Sequence, residues 1–327
     1  MKNIYLLLIS FLFLVQSLNA QRVFKEMKNI EMNEVAEYGY SNGFVKMQND
    51  TLLLCRDLSR IEVYDNNQNL LLEYGKKGKG PGELLFILGG LIYKKQLVLL
   101  DNVNNKVVYL TFEEEPSLIK EVPILDNGSQ IFIINDTLIV RHSLKEYLLA
   151  EYNENGEIIS SYPELNEDDK FIIFGMNGEM FYENNYFYLF KRQNLEITSF
   201  GRKSKIYKSE RILKEFNVLE NIKNPKVDLS RNSDVQIYTK PEASYDYIYQ
   251  KVSNKIVVLN IGGKGNKGSD RVLDVYDWSS RDYQYSFVIN AELNMGATNM
   301  FFPNNINNYY TRLQTDYSII QVKYTLE

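Results

Sequence analysis

The residues able to do chemistry are few, and the densest set lies in one short loop. Tyr74-Gly75-Lys76-Lys77-Gly78-Lys79-Gly80-Pro81-Gly82-Glu83 alternates glycine with lysine. Glycines let a backbone approach a phosphate closely, and lysines would neutralise it. The run lacks the Gly-Lys-Ser/Thr ending of a P-loop, and nothing in the sequence shows it opening a helix. Gly75, Gly78, Gly80, Pro81, Gly82 and Glu83 are therefore expected to form a structural connection between strands, with Lys76, Lys77 and Lys79 solvated. A second loop of this composition, Gly262-Gly263-Lys264-Gly265-Asn266-Lys267-Gly268, is expected to be a long hairpin. Anion binding through its backbone N–H groups is the competing reading.

Nucleophiles and metal ligands are scarcer still. Cys55 is the single cysteine and His142 the single histidine. One cysteine cannot form an internal disulfide, and a nucleophilic thiol wants a neighbouring base. Cys55 ends an apolar run and is expected to be a buried small hydrophobe. One histidine cannot build a His-rich zinc site. Asp101, Asp136, Glu154 and Asp168-Asp169 show no calcium-loop spacing, although Ca2+ held by carboxylates and carbonyls stays open. No catalytic residue, cofactor-binding residue or metal ligand is assigned, and no cofactor is expected.

Composition sets the frame in which these groups must be placed. The chain has 327 residues, 44% hydrophobic, with a formal charge of −5. That is ample apolar material for a folded core, and the charge argues against a nucleic-acid footprint. The abundance of aromatics, 25 Tyr and 17 Phe, favours strands.

The elements follow from short apolar runs that recur along the chain. Leu52 to Cys55, Ile61 to Tyr64 and Leu70 to Tyr74 are three strand-length runs, the last two separated by the turn Asp65-Asn66-Asn67-Gln68-Asn69. Leu97 to Leu110 repeats this unit at an offset of 46, placing Lys106 on Arg60 and Val107 on Ile61. The ends of successive third strands fall at Tyr64, Leu110, Tyr152, Phe200, Tyr276 and Tyr324, spaced by 46, 42, 48, 76 and 48 residues. Four-stranded propeller blades are about this long. The expected fold is all-β: a six-bladed β-propeller of four-stranded antiparallel blades, a single domain over residues 21–327. The long interval holds an insertion at about 209–243, whose Ile212, Phe216 and Leu219 have helical spacing. The chain stops after the third strand of its final unit. The segment Val23 to Met32 is expected to pair there and close the ring, since an unpaired edge would expose a row of backbone groups.

The first two units resemble the NHL repeat: a strand ending in Asp, a turn, a basic residue opening the next strand, then a glycine-rich exit. Leu100-Asp101 with Lys106-Val107-Val108 carries this, as do Arg60-Ile61-Glu62-Val63-Tyr64 and the glycines that follow. Cys55 stands where that pattern has Asp. The Tyr74 to Glu83 run is similar to the signature of exported six-bladed β-propeller proteins of Gram-negative bacteria. The resemblance implies a fold and a location. Propellers of this type include binders and a few metal-dependent lyases, so the fold does not decide the activity. The expected function is a non-enzymatic binding or scaffolding propeller of the cell envelope, acting as a monomer on a protein, small-molecule or glycan ligand and not on nucleic acid. The alternative is a carboxylate-metal-dependent lyase or lactonase working in the propeller channel.

Residues 1–20 have the form of a signal peptide. Lys2 supplies the positive end, Ile4 to Val15 an apolar segment too short to span a bilayer, and Ala20 the small residue before cleavage. No later stretch approaches the length of a transmembrane helix, so a periplasmic or secreted protein is expected. N-terminal sequencing of exported material should begin at Gln21. Recovery of the intact Met1 form in the cytoplasm would overturn the export reading.

Overall fold

The computed structural model describes residues 24–25, 32–39, 45–48, 51–55, 57–65, 69–126, 128–143, 145–166, 178–191, 196–211, 247–252, 254–260, 271–289, 300–301, 308–314 and 318–325. Two segments open it, β1 (Phe24–Lys25) and β2 (Met32–Gly39). β3 (Val45–Gln48), β4 (Thr51–Cys55), β5 (Ile61–Tyr64) and β6 (Leu70–Tyr74) then pair in chain order as an antiparallel sheet. The next sheet is β7 (Ile87–Tyr93), β8 (Gln96–Asp101), β9 (Lys106–Thr111) and β10 (Leu118–Pro123). The third is β11 (Gly128–Ile134), β12 (Thr137–His142), β13 (Tyr147–Tyr152) and β14 (Ile158–Glu164). The fourth is β15 (Gly178–Glu183), β16 (Tyr186–Lys191), β17 (Glu196–Gly201) and β18 (Lys208–Arg211). β19 (Tyr247–Val252), β20 (Lys255–Asn260), β21 (Arg271–Asp277) and β22 (Tyr283–Ile289) follow, with β1 parallel to β22 at their edge. β23 (Met300–Phe301), β24 (Asn308–Gln314) and β25 (Ser318–Thr325) pair with β2 as their fourth strand.

These antiparallel sheets are arranged as a β-propeller. The packing explains why strands such as β8, β9 and β12 read as unbroken apolar runs. In β8, Leu97 and Leu99 pack toward the sheet before, while Val98 and Leu100 pack toward the sheet after. β9 alternates in the same way, with Val108 and Leu110 on one side and Val107 and Tyr109 on the other. β12 divides Leu138 and Val140 from Ile139. A sheet buried on both faces needs apolar residues at every position, not at every second one. Each such Leu, Ile or Val stabilises the fold by roughly 1.5–3 kcal/mol of burial. The first strands of successive sheets lie side by side, β3 next to β7, β7 next to β11 and β15 next to β19. They form the hub where the sheets converge.

Two boundaries differ from the sequence reading. The strand that pairs with the last C-terminal strand is Met32–Gly39, running from Met32 opposite Tyr324 to Gly39 opposite Ser318. It was expected at Val23 to Met32, of which Phe24 and Lys25 instead lie parallel beside Ser286 and Phe287. The eight residues of β2 match the eight residues of β25. The insertion is expected from about 209; of that stretch, Ser209 to Arg211 belong to Lys208–Arg211, which pair with Glu196–Ser199 as the fourth strand of their sheet. Residues 212–243, the 262–268 loop, Asp168-Asp169 and the segment 1–20 lie outside the described residues.

Pairing of β2 with β25 leads to a graded truncation test. Among the described residues, deleting 21–31 removes the two-residue contact of β1 alone. Deleting 21–39 also removes a full ladder, at about 0.5–1.5 kcal/mol per hydrogen bond. The longer deletion should lower Tm by roughly 10 °C or more and promote aggregation; the shorter should change it by a few degrees. Equal effects would contradict the observed pairing.

Candidate functional site

The glycine loop between β6 and β7 is fastened through the N–H groups of Gly78, Gly80 and the run from Gly82 to Phe86. Gly78 donates to Leu84 O at 3.1 Å and Leu84 donates to Lys76 O at 2.7 Å. Gly80 N–H donates to Glu83 Oε2 at 2.7 Å, and Gly82 N–H to Glu121 Oε1 at 2.8 Å. Leu85 and Phe86 donate to the carboxylate of Asp101, at 2.8 and 3.1 Å. The loop therefore has the form of an anion nest whose anions are the protein's own carboxylates. Lys106, only 7% exposed, ties the arrangement together: its Nζ donates to Gly80 O at 3.0 Å and pairs with Glu121 Oε1 at 2.6 Å. Asn104 donates to Gly78 O at 2.9 Å. Glycine is required at two positions. A Cβ at Gly78 would lie 2.0 Å from Glu83 Oε2, and Gly82 has φ +74 with its Cβ position 2.7 Å from the Tyr74 hydroxyl. Lys76, Lys77, Lys79 and Pro81 are exposed, and Gly75 backs onto Arg60.

The same register position ends the second strand of several sheets: Cys55, Asp101, His142 and Lys191. Each is buried. Asp101 caps its own entry loop as above. Cys55 has no comparable reach; its thiol lies 3.8 Å from Ile87 O. His142 accepts at Nε2 from the Tyr152 hydroxyl at 2.8 Å. That direction follows because Asp126 O, 3.1 Å from Nδ1, can only accept, so Nδ1 carries the proton of the neutral ring and Nε2 is left as the acceptor. Burial pushes the imidazole below its usual range, opposed by the Asp126 carbonyl and reinforced by Lys145 nearby. The ring is held neutral in one tautomer, with Tyr147 edge-on at 6.0 Å.

The hub brings together polar side chains that the sequence reading did not single out. Gln48 on β3 brackets one residue of the next sheet: its Nε2 donates to Ile92 O at 2.8 Å, and Ile92 N–H donates to its Oε1 at 3.0 Å. Lys46 Nζ donates to Gly90 O at 3.2 Å. Two sheets on, Gln130 donates to Met180 O at 2.8 Å and Arg141 to Gly178 O at 2.7 Å. Glu183 and Lys251 pair at 2.7 Å across the next junction, where the Lys251 ammonium also lies 5.4 Å from the Trp278 ring. Glu179 acts electrostatically on both Lys46 and Arg141. Burial pushes Arg141 down to about 10, which leaves it a cation at neutral pH. The available signal was polar residues in the first strands, Lys46 and Gln48 in β3 and Gln130 in β11. Among the described residues, no group of three or more His, Cys, Asp or Glu side chains is placed to hold a metal ion. Asp136 pairs with Lys94 at 2.6 Å, and Glu154 with Lys120 at 2.8 Å. No described helix is long and apolar enough to cross a membrane.

No protein-family model matches the chain, and no curated protein does. Among solved structures it is similar to a candidate exported protein from Bacteroides fragilis, at 11% identity and a TM-score of 0.58, over 91% of this chain and 95% of that one. It is also similar to a streptogramin B lyase, at 11% identity and a TM-score of 0.45, over 91% and 98% of the two chains. BamB from Moraxella catarrhalis is 7% identical, with a TM-score of 0.44 over 88% and 85%. At such identities the likeness to the Bacteroides fragilis protein speaks for the fold alone.

His142 is the chain's single histidine, so its titration can be isolated. Its folded-state pKa lies below the unfolded value near 6.5, so the unfolded chain binds the proton more readily. Its contribution to stability is complete above about pH 6.5 and is lost as pH falls below that. Denaturation between pH 7.5 and 5.5 should show falling stability in the native protein. His142→Gln should cost about 1–2 kcal/mol at pH 7.5 and lack that fall. Parallel curves for the two proteins would contradict a neutral buried His142.

Proposed function

We propose that this chain is an exported six-bladed β-propeller that binds or scaffolds at the cell envelope without catalysing a reaction. Six marker residues at near-regular spacing support the blade count, as does the grouping of the strands into four-stranded sheets with β1 as an extra edge strand. Residues 21–327 form one domain in this reading, and β2 closes the ring. The signal-peptide form of residues 1–20 supports export. The fold likeness to a candidate exported protein agrees with it. The Gly75–Glu83 loop is then a structural fastening, and ligand, protein or glycan recognition falls to the hub and the loops around it. The expected state is a monomer.

The observation that carries the non-enzymatic reading is the company kept by the hub carboxylates. Glu183 is paired with Lys251 at 2.7 Å, and the negative charge of Glu179 favours the charged forms of both Lys46 and Arg141. A divalent ion held by carboxylates would have to displace or sit beside those cations, at a Coulombic cost. A charged, preorganised hub suits recognition better than metal-assisted elimination or hydrolysis.

The test sets the two classes against each other on the purified mature chain. A panel of envelope metabolites and glycans should give at least one saturable rise in Tm. Lactones and cyclic depsipeptides, incubated with Mg2+, Ca2+ or Mn2+, should be recovered unchanged. Metal-dependent turnover that is abolished in Glu179→Gln or Glu183→Gln would replace this reading with the enzymatic one.

A further inference from the structure

We propose that the outer rim of the second and third sheets docks a cationic amphipathic helix of another protein, seated on two bulged aliphatic pairs, Leu118-Ile119 and Ile158-Ile159. This surface lies away from the hub, and the inference stands whether or not the hub binds a ligand.

The fourth strand of each sheet is its outer edge, and the same irregularity recurs there. The second residue of the strand is a bulge at Leu71 in β6, Ile119 in β10, Ile159 in β14 and Gln284 in β22. A bulge interrupts the ladder and re-aims a side chain. In β10 and β14 it leaves two adjacent aliphatic residues exposed, Ile119 at 44% and Ile159 at 59%. An edge broken in this way resists an added strand. Where a strand does add, at β22, β1 pairs with Ser286 and Phe287, past the bulge. A helix satisfies its own backbone and can seat on such a rim through side chains alone.

The two pairs border one junction. Lys120 follows Ile119, and its Nζ pairs at 2.8 Å with Glu154 Oε1 in the turn that leads into Ile158. Farther along β10, the Cβ position of Gly156 abuts Pro123. β10 therefore runs along the 153–157 turn. The charge around the aliphatic pairs is negative. Glu113, Glu114 and Glu115 are exposed on the turn before Leu118. Thr111 and Ser117 close that turn: Thr111 N–H donates to Ser117 O and Ser117 N–H to Thr111 Oγ1, both at 2.9 Å. Glu157 is exposed just before Ile158. Among the described residues, no cation pairs with Glu113, Glu114, Glu115 or Glu157. Aliphatic side chains beside unneutralised carboxylates complement a partner that is both apolar and basic. Anionic lipid headgroups would be repelled. Cationic turns border this arc on both sides. The glycine loop with Lys76, Lys77 and Lys79 meets Leu118, to which a Cβ at Gly82 would come within 3.8 Å. The end of β14 meets the turn carrying Lys203 and Lys205, where Glu164 N–H donates to Lys205 O at 3.1 Å. The partner's positive charge is thereby confined to the stretch between them.

The experiment uses the full mature chain and synthetic amphipathic helices about five turns long. The probe carries Leu on one face and Lys on the other; its twins replace Lys by Glu or Leu by Ser. Fluorescence anisotropy should give saturable binding of the Leu/Lys helix that weakens with salt, and none of either twin. Ile119→Ser with Ile159→Ser, both exposed positions, should weaken it at least tenfold at near-native Tm. Glu113→Gln with Glu114→Gln and Glu115→Gln should weaken it severalfold and flatten the salt dependence. Val103→Ser, at an exposed aliphatic residue on the opposite end of the second sheet, should leave it within about twofold. Absence of saturation, equal binding of the Leu/Glu twin, or unchanged binding in the double Ser variant would overturn the site. Phosphatidylglycerol vesicles that bind the native chain and not the double Ser variant would replace the protein partner with a membrane.

Discussion

Neighbouring sheets in a propeller converge at the hub, and there each first strand presents backbone groups with no fifth strand to pair them. An unpaired buried N–H or C=O costs about 1–3 kcal/mol. This chain answers with side chains sent from the preceding sheet. Gln48 acts as a stand-in for a strand, giving and taking one hydrogen bond at Ile92. Gln130 and Arg141 donate likewise to Met180 O and Gly178 O. Because each reaches across a junction, these bonds set the angle and register between sheets that apolar contact alone would leave loose. Hydrophobic burial supplies most of the stability, but it is non-directional.

The glycine loop solves the same problem on the way from one sheet to the next. Its close turns expose N–H groups in a concave array, and Asp101, Glu83 and Glu121 occupy that array from within. Lys106 neutralises the resulting concentration of carboxylate. The consequence for function is a division of labour. The loop's carboxylates bond its own N–H groups, whereas the hub's cations, Lys46, Arg141 and Lys251, bond across the junctions between sheets.

How much of this could be read from the sequence depends on how far apart the partners lie. The second and third strands were legible because burial on both faces writes continuous apolar runs, as in Leu97 to Leu100 and Val107 to Leu110. The glycine loop was legible as a connection, since Gly and Pro punctuate locally. Its fastening was not, because Asp101, Asn104, Lys106 and Glu121 come from later strands and nothing local marks them as partners. The strand that joins β25 was expected a few residues too early: a loose alternation at Val23 to Met32 competes with Met32–Gly39, and only the length of β25 decides between them. The hub residues were missed for a different reason. Lys46, Gln48, Gln130 and Arg141 look like ordinary polar interruptions until the fold places them against the next sheet. Cys55 and His142 were read as lacking chemical partners; the structure explains them as two members of one capping position that Asp101 fills in the sheet between them.

The most direct measurement of the central claim is native-state hydrogen exchange at the Ile92 amide in Gln48→Leu, which keeps the side-chain volume and removes both bonds. If side chains from the preceding sheet satisfy the hub strands, protection at Ile92 should fall by an order of magnitude or more, with Tm lowered. Protection at Val98 and Val108, deep in the same sheet, should follow only the global stability. Unchanged protection at Ile92 would mean that the hub strands are satisfied without their neighbours, and the account of how the sheets are joined would be wrong.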